Sequence, residues 1–135
     1  MARPVPSMDA WLAEAKADAS AAQCGMYLVH NGVVRETPKA EARGITTDGV
    51  QLGDKVGGLY FGYDQAKVDA AIARTRELPG IFYVRVWLNE GELSVGDDIM
   101  YVLVGGDIRP RVIDALQSLV ATLKNECVTE VEHPA

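Results

Sequence analysis

Two arginines, Arg109 and Arg111, stand on either side of Pro110, where an apolar strand pattern ends and a helical pattern begins. Cations at the N-terminus of a helix oppose the helix dipole, at a cost of roughly 0.3 to 1 kcal/mol each when exposed. Their chemistry suits an anion, because guanidinium groups and free backbone N–H groups both bind phosphate, sulfate or carboxylate. The sequence therefore predicts a local anion site here. The alternative is a pair of solvated arginines facing Asp107 and Asp114.

Two further cations stand at the ends of predicted elements. Lys124 follows Leu123 near the C-terminus of the last predicted helix, where a lysine also stabilises the helix dipole. Arg35 ends a predicted strand immediately before a long loop, a position from which a side chain can point into a covered cleft. An ordinary structural role explains either residue equally well at this point.

The remaining reactive residue types do not form a recognisable site. Cys24 and Cys127 are far apart, and only His30 and His133 accompany them, so we expect neither a metal site nor a disulfide framework. Both cysteines are interpreted as inert thiols. His30 is interpreted as a half-buried, hydrogen-bonded histidine more readily than as a catalytic base. The motifs G-x-G-x-x-G, GKS/T, HExxH and GxSxG do not occur.

Length and charge favour one domain without a nucleic-acid or membrane partner. The 135 residues, 48% of them hydrophobic, fit a single domain over 1–135. Acidic residues outnumber basic ones by 19 to 13, whereas phosphate backbones require a concentrated basic face. No apolar run is long enough for a membrane span or a secretory signal. We therefore expect a cytoplasmic protein.

Hydrophobic periodicity and breaker residues predict the elements. Residues 1–22 are alanine-rich and predict an N-terminal helix, and 24–36 predict two short strands or one strand bent by a bulge. The polar segment 37–55 predicts a mobile loop that covers a site. A strand then precedes a helix capped by Asp64, and a final amphipathic helix begins near Asp107 or Arg109.

The second half of the chain decides the fold class. The segments "IFYVRVWL" and "IMYVLVG" predict neighbouring antiparallel strands, "GELSVGDD" predicts the turn between them, and "CVTEVE" predicts a last short strand. The resulting order of elements predicts an α+β fold, with helices packed on a mixed antiparallel sheet.

The two central strands carry apolar residues on both faces, more than one helix layer can cover. We therefore expect a two-fold homodimer through the strands of residues 81–104. The apolar residues in question are Phe82, Val84, Val86, Tyr101 and Leu103.

Several blocks together resemble the large, catalytic subunit of molybdopterin synthase. They are "NGVVR" at 31–35, "VGGLYFGYDQAKVDAAI" at 56–72 and a continuous stretch over 91–126, which contains a "GELSVGD" turn, a helix-start arginine and a "LK" pair. The resemblance covers about residues 24–132. It implies an α/β-hammerhead fold and a homodimer, with a small ubiquitin-like sulfur carrier on each outer end. The carrier's C-terminal Gly-Gly thiocarboxylate then supplies sulfur to a cyclic pyranopterin monophosphate, which forms molybdopterin.

The same resemblance implies roles for the cations. Lys124 matches the catalytic lysine, and Arg35 and Arg109 match arginines that bind anionic substrate, with Arg111 beside them. No metal or organic cofactor is required for this step. At about 1.5 Å per helical residue, Arg109 and Lys124 lie about 22 Å apart along one helix, so a shared substrate implies a site composed from two chains.

The chain also departs from the family pattern. Ile108 replaces a histidine before the helix-start arginine, Val131 replaces a second lysine, and "LNEG" at 88–91 replaces "H-R-x-G". Either Lys39, Lys55 or Arg111 substitutes for the missing groups, or the chain is a non-catalytic binding or regulatory paralogue on the same fold.

Overall fold

The computed structural model describes residues 3–37 and 55–135, and in them three α-helices pack against two three-stranded antiparallel sheets. The α+β prediction is confirmed. No helix in these two ranges is long and apolar enough to cross a membrane. The elements are α1 (Met8–Ala17), β1 (Met26–Val33), β2 (Val56–Tyr63), α2 (Gln65–Arg76), β3 (Ile81–Leu88), β4 (Gly91–Ser94), β5 (Asp98–Gly106), α3 (Arg109–Thr122) and β6 (Val128–Pro134).

The strands divide into two sheets, a partition that the periodicity did not indicate. Sheet A has the order β1-β5-β3, and sheet B has the order β4-β2-β6. Residues 26–33 form one strand with an irregularity between Gly32 and Val33, so the bent-strand alternative holds. The predicted turn over "GELSVGDD" is partly wrong, because Leu93 pairs with Leu59 of β2 and is buried, which makes the first half of that segment strand β4.

Local capping explains where the helices begin and end. The Ser7 side chain accepts a hydrogen bond from the Ala10 N–H, and the Asp64 side chain accepts one from the Lys67 N–H. The N-terminal helix is shorter than predicted, since Asp18 leaves the helical conformation and its side chain caps a 3₁₀ turn over Ala19–Gln23. After α3 the chain continues as a π-helical turn over Leu123–Cys127.

Helices cover both faces of sheet A. On one face, α2, α3 and sheet B enclose the main core, in which Met100 and Val102 have no exposed surface. On the other face, Trp11 and Ala15 of α1 pack with Leu103, which is also fully buried. Helix α1 thus buries part of this second face within the chain, whereas Val29, Tyr83 and Tyr101 are only partly buried there. The homodimer stays a prediction.

Candidate functional site

Arg35 and Lys124 line a common cavity of about 410 Å³. It lies where the end of β1 meets β2, β6 and the π-helical turn. Two of the three cations that the resemblance singles out are therefore brought together from distant parts of the chain. Apolar side chains supply part of the wall, namely Val33, Val34, Val56, Leu59, Ile99 and Met100.

Backbone hydrogen bonds fix the direction of Arg35. The N–H of the preceding residue, Val34, donates to the Asp97 carbonyl, and the Val34 carbonyl accepts from the Gly96 N–H, both at 2.9 Å. Gly96 has a φ of +93°, which the tight turn between β4 and β5 requires and which favours glycine. Val34 is buried, so its neighbour Arg35 emerges at the cavity wall.

The π-helical turn positions Lys124. Leu123, at the start of this turn, has no exposed surface and anchors it in the main core. Lys124 follows directly and is half-buried at the cavity wall. The sequence predicted a regular helix end here. The wider turn is a feature that periodicity alone does not indicate, and such turns frequently occur at functional sites.

Strand β6 contributes two carboxylates that the sequence analysis did not single out. Glu130 and Glu132 line the cavity, and they pair in register with Phe61 and Leu59, whose side chains are buried. Val131 lies between them on the opposite face and is 48% exposed. The position that the resemblance matches to a second lysine therefore does not line this cavity. The alternating sequence "EVE" indicates that Glu130 and Glu132 share one face of the strand, but it does not show which face is turned towards the cavity.

His30 also lines the cavity and is half-buried. Burial lowers the pKa of its imidazole, and the positive charge of Lys124 lowers this pKa further, so the ring is neutral at pH 7. Its Nε2 atom is buried and has no hydrogen-bond partner within residues 3–37 and 55–135. The predicted half-burial is thus confirmed, whereas the described residues supply no hydrogen-bond partner for Nε2.

Arg109 and Arg111 do not line this cavity, and both are exposed at the start of α3. Arg111 Nη1 lies 2.9 Å from Asp107 Oδ2. The other Asp107 carboxylate oxygen accepts a hydrogen bond from the Ile108 N–H, and Ile108 at the N-cap position has no side-chain acceptor for the first-turn N–H groups of α3. The alternative of a surface ion pair therefore holds for Arg111, and within one chain the structure does not bring either arginine to Lys124.

Lys39 and Lys55 of the long loop are the two lysines that we considered as replacements for the missing family residues. Lys55 is exposed and forms an ion pair with Glu36 at 3.1 Å, next to the cavity residue Val56. Lys39 lies outside the described residues. The same holds for the 37–55 loop that we expected to be mobile, apart from Thr37 and Lys55 at its ends.

The "LNEG" departure has a structural explanation. Asn89 is 1% exposed, its Oδ1 accepts from the backbone N–H groups of Arg3 and Glu90, and its Nδ2 donates to the Asp98 carbonyl. The Arg3 guanidinium also donates to the Leu88 carbonyl at 2.6 Å. Asn89 thus connects the N-terminal arm to the ends of β3 and β5. The sequence analysis gave no role to Arg3.

Metal-binding groups are sparse in the part of the chain that the structure describes. No three His, Cys, Asp or Glu side chains there are arranged to hold a metal ion. Cys24 and Cys127 are free thiols, and burial raises the pKa of Cys127. This supports the interpretation of Cys127 as an unreactive core residue.

Comparison with known proteins identifies the family. The model of the MoaE protein family matches residues 7–126. The chain belongs to the MoaE family. The resemblance to the large subunit of molybdopterin synthase is thereby confirmed, and the biological process is molybdenum cofactor biosynthesis. No curated protein sequence matches this MoaE chain significantly.

Solved structures share the MoaE fold at low sequence identity. Molybdopterin synthase from Staphylococcus aureus matches with a TM-score of 0.65 and 19% identity, covering 83% of this chain and 76% of that one. Molybdopterin cofactor biosynthesis protein E from Burkholderia multivorans ATCC 17616 matches with a TM-score of 0.70 and 18% identity, and the match covers 98% of this chain and 87% of that one. A chain in a complex of subunits 1 and 2 of molybdopterin-converting factor from Helicobacter pylori 26695 matches with a TM-score of 0.63 and 16% identity. This match covers 93% of this chain and 74% of that one. These identities mark the chain as a divergent member.

Proposed function

We propose that this MoaE chain transfers sulfur from the C-terminal thiocarboxylate of a small carrier protein to a cyclic pyranopterin monophosphate, forming molybdopterin in the cytoplasm. The observation that carries the proposal is the presence of Arg35 and Lys124 in one cavity. Both substrates are anionic, and the cavity has a volume within the range of small-molecule sites, roughly 300 to 1,000 Å³.

The two cations have different tasks in this proposal. Arg35 presents a planar guanidinium, which suits two-point binding of a phosphate. Lys124 presents a compact ammonium on a half-buried side chain and holds the carrier's terminal group. This group enters as a thiocarboxylate. Its sulfur bonds to the pterin, and water then cleaves the carbonyl–sulfur bond, so that the carrier leaves as a carboxylate and the sulfur stays on the pterin. The ammonium stabilises the negative charge on that group during transfer.

The partner in this proposal is a small ubiquitin-like carrier ending in Gly-Gly. Support comes from the Helicobacter pylori structure, which is a complex of two subunits of molybdopterin-converting factor. A flexible Gly-Gly end is narrow enough to enter a cavity of this size. We propose that the corresponding carrier docks at the outer end of this chain.

In this proposal Arg109, but not the neighbouring Arg111, enters the site from a second copy of the chain. Within one chain both lie at the start of α3, whereas Lys124 follows the end of that helix. A two-fold homodimer could place Arg109 of one copy beside Lys124 of the other. Arg111 is restrained by Asp107, so Arg109 is the arginine that we assign to substrate.

A reconstituted reaction tests the proposal. The purified chain is incubated with a thiocarboxylated carrier and the pterin precursor, and the dithiolene product is measured. We expect Lys124→Ala to abolish product formation and Arg35→Ala to weaken substrate binding. Lys67→Ala is the matched control, because Lys67 is exposed on α2 and does not line the cavity. Absence of product with every cognate carrier would overturn the enzymatic assignment.

A second candidate is a binding or regulatory paralogue without catalytic activity. It is favoured by the outward position of Val131 and by the two carboxylates that line the cavity beside it. This candidate predicts that the chain binds the pterin precursor or the carrier but releases both unchanged. Single-turnover product analysis separates it from the enzyme.

A further inference from the structure

The cavity carries groups of both charge signs. Arg35 comes from the end of β1 and Lys124 from the π-helical turn, whereas Glu130 and Glu132 come from β6. Carboxylates repel phosphate and thiocarboxylate groups. They pair instead with N–H donors and cations, so the cavity offers complementary groups to a ligand that carries both an anionic end and N–H donors.

Strand geometry directs these carboxylates to the cavity. Side chains alternate along a strand, so Glu130 and Glu132 share one face of β6 and Val131 takes the other. That shared face is the inner face of sheet B, because the β2 residues paired with the two glutamates, Phe61 and Leu59, are both buried. Glu130 is half-buried, while Glu132 is exposed at the rim.

The ligand that fits such a cavity has an anionic end and an end rich in N–H donors. A carboxylate is an acceptor with two oxygens, and it pairs well with two adjacent N–H groups on a planar ring. The 2-amino-pyrimidinone edge of a pterin presents this arrangement, with the exocyclic amine beside the ring N3–H. The phosphate at the other end of a pyranopterin then meets Arg35.

We propose that Glu130, assisted by Glu132, binds the 2-amino-pyrimidinone edge of the pterin and determines the heterocycle specificity of the site. This inference rests on the proposed function for the identity of the ligand. It goes beyond the cations of the resemblance, because it assigns recognition of the ring to residues that the family patterns did not mark.

Binding of two fluorescent probes tests this inference without requiring catalysis. Pterin-6-carboxylate has the 2-amino group and an anionic end, and lumazine-6-carboxylate replaces the amine with a carbonyl. We expect the intact chain to bind the pterin more tightly by roughly three- to tenfold, as one partly exposed charge-assisted hydrogen bond allows. Glu130→Gln should remove this preference and leave lumazine binding unchanged or tighter. Glu132→Gln should reduce the preference less.

The control variant is Glu126→Gln, which makes the same charge change on the π-helical turn outside this cavity and should keep the preference. Guanosine monophosphate has the same edge on a purine and should bind more weakly than the pterin. Equal binding of the two probes by the intact chain, or an unchanged preference in Glu130→Gln, would overturn the inference. Tighter binding of guanosine monophosphate would overturn the assignment to a pterin. Failure of sulfur transfer with the preference intact would remove the proposed activity alone.

Discussion

At the residue scale, the cavity combines charges whose effects on one another are measurable. His30 is the most useful reporter, because its ring lines the cavity and responds to the charge of Lys124. Among the residues that the structure describes, the other charged groups that line the cavity are Arg35, Glu130 and Glu132. A change in any of these charges should alter how readily His30 takes up a proton.

Replacing Lys124 with methionine should raise the pKa of His30. The positive charge of Lys124 is lost, while burial remains and keeps this pKa below that of an ordinary histidine. NMR titration of the His30 ring protons measures the change, and Lys67→Met is the control. An unaltered His30 titration in Lys124→Met would contradict the electrostatic contact.

The lowered pKa of His30 also predicts how stability depends on pH. The unfolded chain, with an ordinary histidine pKa of 6.5, binds a proton more readily than the native protein. His30 therefore costs no stability above about pH 6.5, and the free energy of unfolding should fall as the pH drops below that value. Urea unfolding at several pH values, compared with His30→Phe, isolates this contribution. If His30→Phe loses as much unfolding free energy at low pH as the parent chain does, His30 is not the source of that loss.

Asn89 should be required for stability rather than for chemistry. Its side chain accepts from the Arg3 and Glu90 N–H groups and donates to the Asp98 carbonyl. Asn89→Ala leaves these groups without that partner and should cost about 1 to 3 kcal/mol. Glu90→Ala, at an exposed neighbouring position, should change the free energy of unfolding by about 0.5 kcal/mol or less. Equal effects of the two substitutions would refute this role.

At the element scale, α1 covers part of the outer face of sheet A, the face that we expected a partner to bury. Trp11 packs against this face, and the Arg85 guanidinium carbon lies 4.5 Å from the centroid of the Trp11 ring. Arg85 also forms an ion pair with Glu14 at 2.8 Å. The helix is thus held by apolar burial and by a charged pair at its edge.

Trp11→Ala should destabilise the fold by about 3 to 5 kcal/mol, because it removes a large buried ring and leaves a cavity over Leu103. Lys16→Ala, exposed on the same helix, should stay within about 0.5 kcal/mol of the parent chain. Chemical denaturation measures both. A small effect of Trp11→Ala would mean that α1 adds little to the fold.

At the scale of the whole molecule, the proposed homodimer now depends on the active site rather than on an apolar surplus. Phe82 remains 38% exposed on β3, but Leu103 is buried within the chain. The remaining argument is that Arg109 and Lys124 belong to opposite ends of one helical segment, whereas the proposed reaction uses both.

Mixing inactive Arg109→Ala and Lys124→Ala chains should restore activity if the sites are shared between copies. In a random mixture of dimers, about a quarter of the sites receive both intact residues. Sedimentation establishes the oligomeric state, and Arg111→Ala serves as a control because Arg111 is paired with Asp107. A monomer at micromolar concentration, or an inactive mixture, would contradict the shared site.

The sequence by itself determined the fold class, most of the elements and the family. Alternating and helical periodicities, Asp64 as a cap and the apolar face of α3 are local properties, so they can be read from neighbouring residues. It also selected Arg35 and Lys124, through the resemblance. It did not indicate the division into two sheets, since strand partners are set by contacts between distant segments.

The tertiary structure alone decided which charges meet. A period of two predicts that Glu130 and Val131 lie on opposite faces, but only packing against β2 determines which face is inside. The sequence also did not indicate that α1 covers Leu103, because this helix lies far from Leu103 in the sequence. Burial and charge pairing are properties of the assembled chain, and they place two carboxylates where the family patterns led us to expect only cations.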